Sequence, residues 1–159
     1  MQKITTFLWY DNQAEPAARL YTSLFGDSRI LRIQRTPPGG PGEAGSVMLV
    51  EFELAGQRFI ALNGAHGPGQ SFTEAVSLYV DCQTQEEVDE LWGRLTADGG
   101  QEGPCGWLKD RFGVSWQIVP DALPRLLGDP DPARAGRVMQ AMMSMQKIDI
   151  RGLVAAYDQ

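Results

Sequence analysis

Two parts of this chain follow the same pattern, with equivalent residues 70 positions apart. Each part opens with an apolar strand, continues into an amphipathic helix and ends in further strands. The correspondence comprises Leu8, Asp11, Gln13, Ala18, Tyr21 and Phe25 in the first part and Leu78, Asp81, Gln83, Val88, Leu91 and Leu95 in the second. The repetition predicts two copies of a β-α-β-β-β module. Because one copy is too small to bury its own sheet, we expect the two to share a core.

Hydrophobic periodicity predicts the elements of both modules, which span 1–64 and 74–120. In the first module we expect strands over 4–10, 28–35, 47–54 and 57–63 and a helix over 13–25. In the second we expect strands over 74–81, 107–109 and 114–119 and a helix over 84–95, with Thr84 as N-cap. The segments 36–45 and 64–71 are rich in Gly and Pro and are predicted loops. The second loop contains His66, the only histidine, which we expect to be solvated.

The remaining residues, 121–159, are predicted to form a C-terminal helical extension, either part of the same domain or a dimer interface. Asp131 and Pro132 are typical of a helix start, and Asp149 is predicted to cap a last helix. The apolar faces of these helices comprise Ala135, Val138, Met139, Met142, Met145, Ile150, Leu153, Val154 and Tyr157. Packing within the chain or between two copies would cover such a face. Because the tail lies outside the repeat, we favour by a small margin an interface in a homodimer.

Composition excludes several classes of partner. The chain has 159 residues, of which 43% are hydrophobic, and a net charge of −6. It therefore offers no basic field for nucleic acid or anionic lipid, and it has no apolar run long enough to span a membrane. The N-terminus lacks the pattern of a secretory signal, which predicts a cytoplasmic location with Cys82 and Cys105 as reduced thiols. A disulfide between them is the less favoured alternative.

A predicted hairpin over 103–120 holds the most distinctive side chains. Its turn runs from Asp110 to Gly113, where glycine permits a positive φ. Trp107 and Lys109 share one face of the short strand before the turn. In a binding site the indole would stack on a planar ligand and the ammonium would pair with an anionic group. The alternative is a packed indole and a solvated lysine, which we favour for Lys109.

Other aromatic and polar residues fit structural roles as well as functional ones. Trp9, Trp92 and Trp116 are predicted to lie in the core. Asn63 either lines a cleft or begins the loop after its strand. Cys105 has no histidine near it in the sequence, so a thiolate nucleophile is disfavoured.

The chain resembles the vicinal oxygen chelate superfamily, which includes glyoxalase I, fosfomycin and bleomycin resistance proteins and extradiol dioxygenases. Within it the chain is most similar to the PhnB-like branch, labelled as a 3-demethylubiquinone methyltransferase-like domain. The resemblance is carried by residues 6–11, 52–57, 61–64, 106–113, 115–117 and 129–132, and most specifically by the Trp-Leu-Lys-Asp-Arg run at 107–111. It implies an α+β fold in which tandem β-α-β-β-β modules form a curved mixed sheet with a cleft, and commonly a homodimer.

The resemblance also implies where a metal centre would lie. Metal-using members place His, Gln or Glu at one inward position on the first and last strands of each module. The corresponding residues are Thr6, Ala61 or Ile60, Val76 or Ala75, and Gln117. Only Gln117 has a side chain suited to ligation, and one amide oxygen does not hold a divalent ion. Glu51, Glu53 and Glu74 do not lie at these positions. We therefore expect the family's metal centre to be lost and predict no cofactor, with a divalent metal at another site left open.

The methyltransferase label finds no support in the residues. No strand is followed by a Gly-rich turn, a helix and then an acidic residue about 20 positions on, as a nucleotide-type cofactor site requires.

Together these patterns predict a cleft that binds a small molecule. The residues expected to line it are Thr6, Leu8, Asn63, Trp107, Lys109 and Gln117. For Gln117, a hydrogen bond to the ligand and a hydrogen bond within the sheet are equally favoured. The favoured hypothesis is a metal-independent small-molecule-binding protein. The alternative is an enzyme of the same superfamily, of lyase, dioxygenase or transferase type.

Overall fold

The computed structural model describes residues 1–65, 67 and 70–159 of the chain. His66, predicted to be solvated, lies outside the described residues. The chain divides into two compact units, Met1–Ser71 and Phe72–Gln159, each described below by itself. The core that the two modules are expected to share stays a prediction.

The first unit is one β-α-β-β-β module, as the repeat predicts. Its elements are β1 (Thr6–Tyr10), α1 (Ala14–Leu24), β2 (Arg29–Arg35), β3 (Val47–Leu54) and β4 (Gln57–Asn63). The strands lie in the order β1-β4-β3-β2, with β1 parallel to β4 and the other pairs antiparallel. The parallel pair requires a long crossover connection, which α1 begins.

One face of this sheet is covered by α1. The Tyr10 hydroxyl donates a hydrogen bond to the Tyr21 hydroxyl of α1 at 3.2 Å, and the Tyr21 ring contacts Phe52 of β3 with centroids 6.4 Å apart. Neighbouring strands place paired residues on the same face, so Leu8 and Ala61 also point towards α1, and both are buried. The opposite face carries the alternate residues of each strand, which in β1 are Phe7 and Trp9.

The second unit repeats the topology of the first. Its module consists of β5 (Leu78–Cys82), α2 (Gln85–Thr96), β6 (Gln101–Glu102), β7 (Trp107–Lys109) and β8 (Ser115–Pro120). The strands lie in the order β5-β8-β7-β6, and β5 is parallel to β8. Thr84 caps α2 by accepting a hydrogen bond from the Glu87 amide at 3.2 Å, as predicted. The tandem α+β architecture predicted from the repeat is confirmed.

Three helices follow β8 and pack within the second unit. They are α3 (Ala122–Leu127), α4 (Pro132–Met143) and α5 (Ile150–Tyr157), with Asp131 and Asp149 as N-caps of the last two. One buried cluster joins them to β8, and Met142, Met145 and Tyr157 pack against it. Its members are Val119, Leu123, Leu126, Val138, Ile148 and Leu153. Part of the predicted apolar face therefore packs within the unit, and an intersubunit role for the remainder stays a prediction.

Two predicted strand boundaries were also wrong. β1 begins at Thr6, because Ile4 is exposed and pairs with no strand, and β5 begins at Leu78, so residues 74–77 precede the sheet. The two-residue strand β6 was not predicted. Among the described residues, no helix is both long enough and apolar enough to cross a membrane.

Candidate ligand-binding site

The turn between β7 and β8 is held by the side chain of Asp110. This residue is 3% exposed, and its Oδ1 accepts hydrogen bonds from the amides of Phe112 at 2.9 Å and Val114 at 3.1 Å. Its Oδ2 accepts one from Trp116 Nε1 at 2.9 Å. Gly113 has a φ of 92°, as the turn predicts. The carboxylate therefore fixes both the turn and a buried indole, which sets the positions of the strands on either side.

The strand register brings four polar and aromatic side chains to one face of this sheet. Trp107 is paired with Gln117, and Lys109 with Ser115. The intervening residues Leu108 and Trp116 point to the other face and are buried. Because side chains alternate along a strand, Trp107, Lys109, Ser115 and Gln117 lie on one face. The prediction that Trp107 and Lys109 share a face is confirmed.

A cavity of about 360 Å³ lies on this part of the second unit. Its lining comprises Glu74, Gln101, Glu102, Gly103, Pro104, Trp107, Leu108, Lys109 and Ser115. The volume is suited to a small organic molecule. Two of the six predicted cleft residues, Trp107 and Lys109, line it.

The charged groups of the cavity have specific partners. The Lys109 ammonium forms an ion pair with the Glu74 carboxylate, and this hydrogen bond holds the pKa of Glu74 below its ordinary value. Glu102 accepts a hydrogen bond from Trp92 Nε1 at 2.6 Å. The Lys109 side chain is 37% exposed, and the expectation of a solvated lysine did not include this ion pair. Glu74 was not predicted as the partner of Lys109. From the sequence, Glu74 was placed at the start of a strand over 74–81, whereas β5 begins four residues later, at Leu78.

Ser115 differs from the other polar residues of the lining. It is 2% exposed, and its Oγ has no hydrogen-bond partner among the described residues. Sequence reasoning missed Ser115, because a serine at the start of an apolar strand carries no distinguishing signal.

Gln117 lies beside the cavity without lining it. Its Nε2 donates a hydrogen bond to Ser77 Oγ at 3.0 Å, so its partner lies one residue before β5 rather than within the sheet. Whether it also contacts a ligand stays a prediction.

The other three predicted cleft residues belong to the first unit and point towards α1. Thr6 and Leu8 share the face of Tyr10, and Leu8 is 7% exposed. Asn63 Oδ1 accepts a hydrogen bond from the Ala14 amide at 2.8 Å, and its Nδ2 donates to the Val47 carbonyl at 3.0 Å. Asn63 thus satisfies the N-terminus of α1, where Gln13 provides no side-chain cap.

The side of this sheet opposite α1 instead carries Phe7 and Trp9. Phe7 is 52% exposed and Trp9 is 38% exposed, with Trp9 Nε1 donating to the Gly64 carbonyl at 2.9 Å. The prediction that Trp9 lies in the core was therefore wrong. By contrast Trp92 and Trp116 are buried, as predicted. An error of one residue in register exchanges the two faces of a strand, and this explains why Thr6 and Leu8 were chosen.

The residues that the resemblance implies for a metal centre do not fit a metal ion. Of these, Thr6 and Ala61 lie on the α1 side of the first sheet, while Ile60 lies on the opposite side and, like its register partner Phe7, supplies no side-chain donor atom. Ala61 is fully buried on the α1 side, and Val76 precedes β5. Within residues 1–65, 67 and 70–159, no group of three or more His, Cys, Asp or Glu side chains is placed to hold a metal.

The two glutamates of β3 are engaged by arginines. Glu51 Oε1 lies 2.9 Å from Arg32 and its Oε2 lies 3.5 Å from Arg58, while Glu53 lies 3.1 Å from Arg29. These carboxylates neutralise neighbouring cations on the sheet surface, and a metal would have to compete with those arginines for them.

Comparisons with solved structures support the fold. A PhnB protein from Bacillus cereus is 40% identical, covering 75% of this chain and 99% of that chain, with a TM-score of 0.67. Protein PA1353 from Pseudomonas aeruginosa is 18% identical over 76% of this chain and 98% of that one, with a TM-score of 0.63. The fosfomycin resistance protein FosX from Listeria monocytogenes, solved with Mn(II) and sulfate, is 18% identical, covering 73% of this chain and 90% of that chain, with a TM-score of 0.50. The last two likenesses show the fold alone.

Comparison with family models gives the more specific result, while no curated protein matches. The model described as 3-demethylubiquinone-9 3-methyltransferase matches residues 2–119. The match includes both modules and the Trp107–Lys109 strand, and it ends before α3. Together with the B. cereus structure, it shows that this chain belongs to the PhnB-like, 3-demethylubiquinone-9 3-methyltransferase-like family of the vicinal oxygen chelate superfamily.

Proposed function

We propose that this protein binds a small molecule without a metal, in the cavity of its second unit. The observation that carries the proposal is the juxtaposition of Trp107 and Lys109 on one cavity wall. The indole offers an apolar surface for a planar group, and the ammonium offers a donor for a polar one. A site that combines mostly apolar walls with a few directed polar groups is typical of small-molecule binding.

The proposal that no metal takes part is supported by the donor chemistry. FosX holds Mn(II), but in this chain the positions that the resemblance implies for ligands in the first module carry Thr6 and Ala61 or Ile60, and neither Ala61 nor Ile60 has a side-chain donor atom. We expect protein purified without chelators or a histidine tag to contain clearly less than one divalent metal ion per chain by elemental analysis. A stoichiometric metal would contradict this part of the proposal.

Binding is tested with a fragment library of planar aromatic compounds. We expect some fragments to raise the melting temperature of the wild-type protein, and Trp107→Ala to weaken their binding about tenfold through loss of stacking. Phe112→Ala is the matched control, since Phe112 lies on the same hairpin but not in the cavity lining. The absence of any fragment that binds, or equal binding to Trp107→Ala and wild type, would refute the assignment.

We also propose that the protein is a homodimer, as the resemblance implies. Met139, Met143 and Val154 stay exposed on the C-terminal helices and could take part in such a contact. Within the predicted face, Val138 and Leu153 are buried, while Met142, Met145 and Tyr157 are partly buried.

A further inference from the structure

The Lys109 ammonium in the cavity wall forms an ion pair with a carboxylate of the same unit. Glu74 lies in the segment before β5, outside any strand or helix, and pairs with Lys109 of β7. Both residues line the cavity. The side chain of Glu74 is 62% exposed and that of Lys109 is 37% exposed. Ion pairs with this much exposure are weak, so another anion can replace the Glu74 carboxylate.

A second donor lies beside Lys109. Ser115 is the register partner of Lys109 on β8 and lines the same cavity. Its buried Oγ has no hydrogen-bond partner among the described residues. A buried hydroxyl without a partner is unfavourable, and an acceptor on a bound molecule would remove that penalty.

The other carboxylate of the lining does not compete for these donors. The Glu102 carboxylate accepts a hydrogen bond from Trp92 Nε1. In the strand register, Glu102 is paired with Leu108 and not with Lys109. Once Glu74 is displaced, Lys109 and Ser115 present an ammonium and a hydroxyl side by side. Such a pair matches a carboxylate, which can accept from both groups at once.

We propose that the cavity is selective for planar molecules bearing a carboxylate, which replaces Glu74 on Lys109 and accepts a hydrogen bond from Ser115 Oγ. Glu74 then acts as an internal competitor that the ligand displaces. This inference rests on the proposed function, because it names the ligand class of the same cavity.

The test compares two probes that differ only in the anionic group, 2-naphthoate and 2-naphthalenemethanol. Dissociation constants are measured by titration calorimetry for wild type, Glu74→Gln, Lys109→Gln and Ser115→Ala. A second exposed ion pair of the same unit, Lys147 Nζ to Asp89 Oδ1 at 2.8 Å, provides the matched controls Lys147→Gln and Asp89→Asn. Neither residue lines the cavity.

We expect wild type to prefer the naphthoate. Removing the competitor in Glu74→Gln should tighten naphthoate binding by about two- to fivefold. Lys109→Gln should weaken it by about tenfold or more, and Ser115→Ala by about threefold or more. Binding of the alcohol to Glu74→Gln and Lys109→Gln, and of both probes to the two controls, should stay within about twofold of wild type.

The outcomes separate this inference from the proposed function. If both probes bind equally well and Lys109→Gln leaves naphthoate binding unchanged, the cavity binds ligands but the inference is wrong. If Glu74→Gln weakens naphthoate binding, the competitor role of Glu74 is wrong. If neither probe binds to wild type while other planar fragments do, the inference is wrong and the proposed function stands. If no fragment binds either, both are wrong.

Discussion

Asp110 is the residue on which the geometry of the hairpin depends. Replacing it with Ala removes three hydrogen bonds to one carboxylate and leaves the buried Trp116 indole N–H without its Asp110 acceptor. We expect Asp110→Ala to lower the free energy of unfolding by about 3 kcal/mol in urea denaturation. Asp121→Ala is the control, since Asp121 is exposed and makes no side-chain cap, and should change it by less than about 0.5 kcal/mol. Similar stabilities of the two variants would contradict the role given to Asp110.

Cys82 makes the free energy of unfolding depend on pH in the alkaline range. Burial, with the nearby Glu87 and Asp81 carboxylates, raises the pKa of its thiol from 9.0 to about 12. The folded state therefore keeps the thiol protonated where the unfolded chain ionises it. This contribution to stability is complete below about pH 9 and is lost as the pH rises towards about 12.

The measurement is the free energy of unfolding as a function of pH for wild type and Cys82→Ala. We expect the wild-type curve to fall more steeply above about pH 9 than the variant curve. Parallel curves would show that the thiol is not protected by the fold.

At the scale of single elements, the C-terminal helices provide a test of where their apolar face packs. Leu153 of α5 is fully buried in the cluster around Val138 and Ile148, whereas its neighbour Val154 is 41% exposed. We expect Leu153→Ala to cost about 3 kcal/mol of unfolding free energy, and Val154→Ala less than about 0.5 kcal/mol. Loss of dimerisation without loss of stability in Leu153→Ala would return this face to an intersubunit role.

The elements show which parts of the fold a sequence can predict. The repeat and the helix periods predicted both modules, and Thr84, Asp131 and Asp149 predicted the starts of α2, α4 and α5, because amphipathic periods and capping residues are strong local signals. The face of β1 was not predictable in the same way. Residues 7–10 are all apolar, so alternation does not indicate which of them point to α1, and three site residues were placed on the covered side.

The site was predictable only where the pattern was local. Trp107 and Lys109 alternate within one short strand, so their shared face follows from spacing alone. Glu74 and Ser115 reach the cavity through strand pairing and through the late start of β5, which depend on tertiary structure. For the same reason, the Met-rich helix face could be identified as apolar, but its partner could not.

At the scale of the whole molecule, the prediction from the resemblance is a homodimer. Light scattering of the full-length protein at high micromolar concentration should give twice the chain mass of 17.5 kDa. A monomeric full-length protein would contradict the homodimer.

The tail also covers residues of its own unit. Truncation after Gly128 should destabilise the protein and promote aggregation, because it uncovers Leu123 and Leu126.

If the second unit holds the ligand site, amide chemical shifts should locate the bound ligand there. Titration of ¹⁵N-labelled protein with 2-naphthoate should move the amide signals of Gly103, Trp107, Lys109 and Ser115 in a saturable manner. The signals of Phe7, Trp9 and Ile60 should change much less. Saturable shifts centred on those three residues of the first unit, or no saturable shifts at all, would show that the cavity of the second unit is not the binding site.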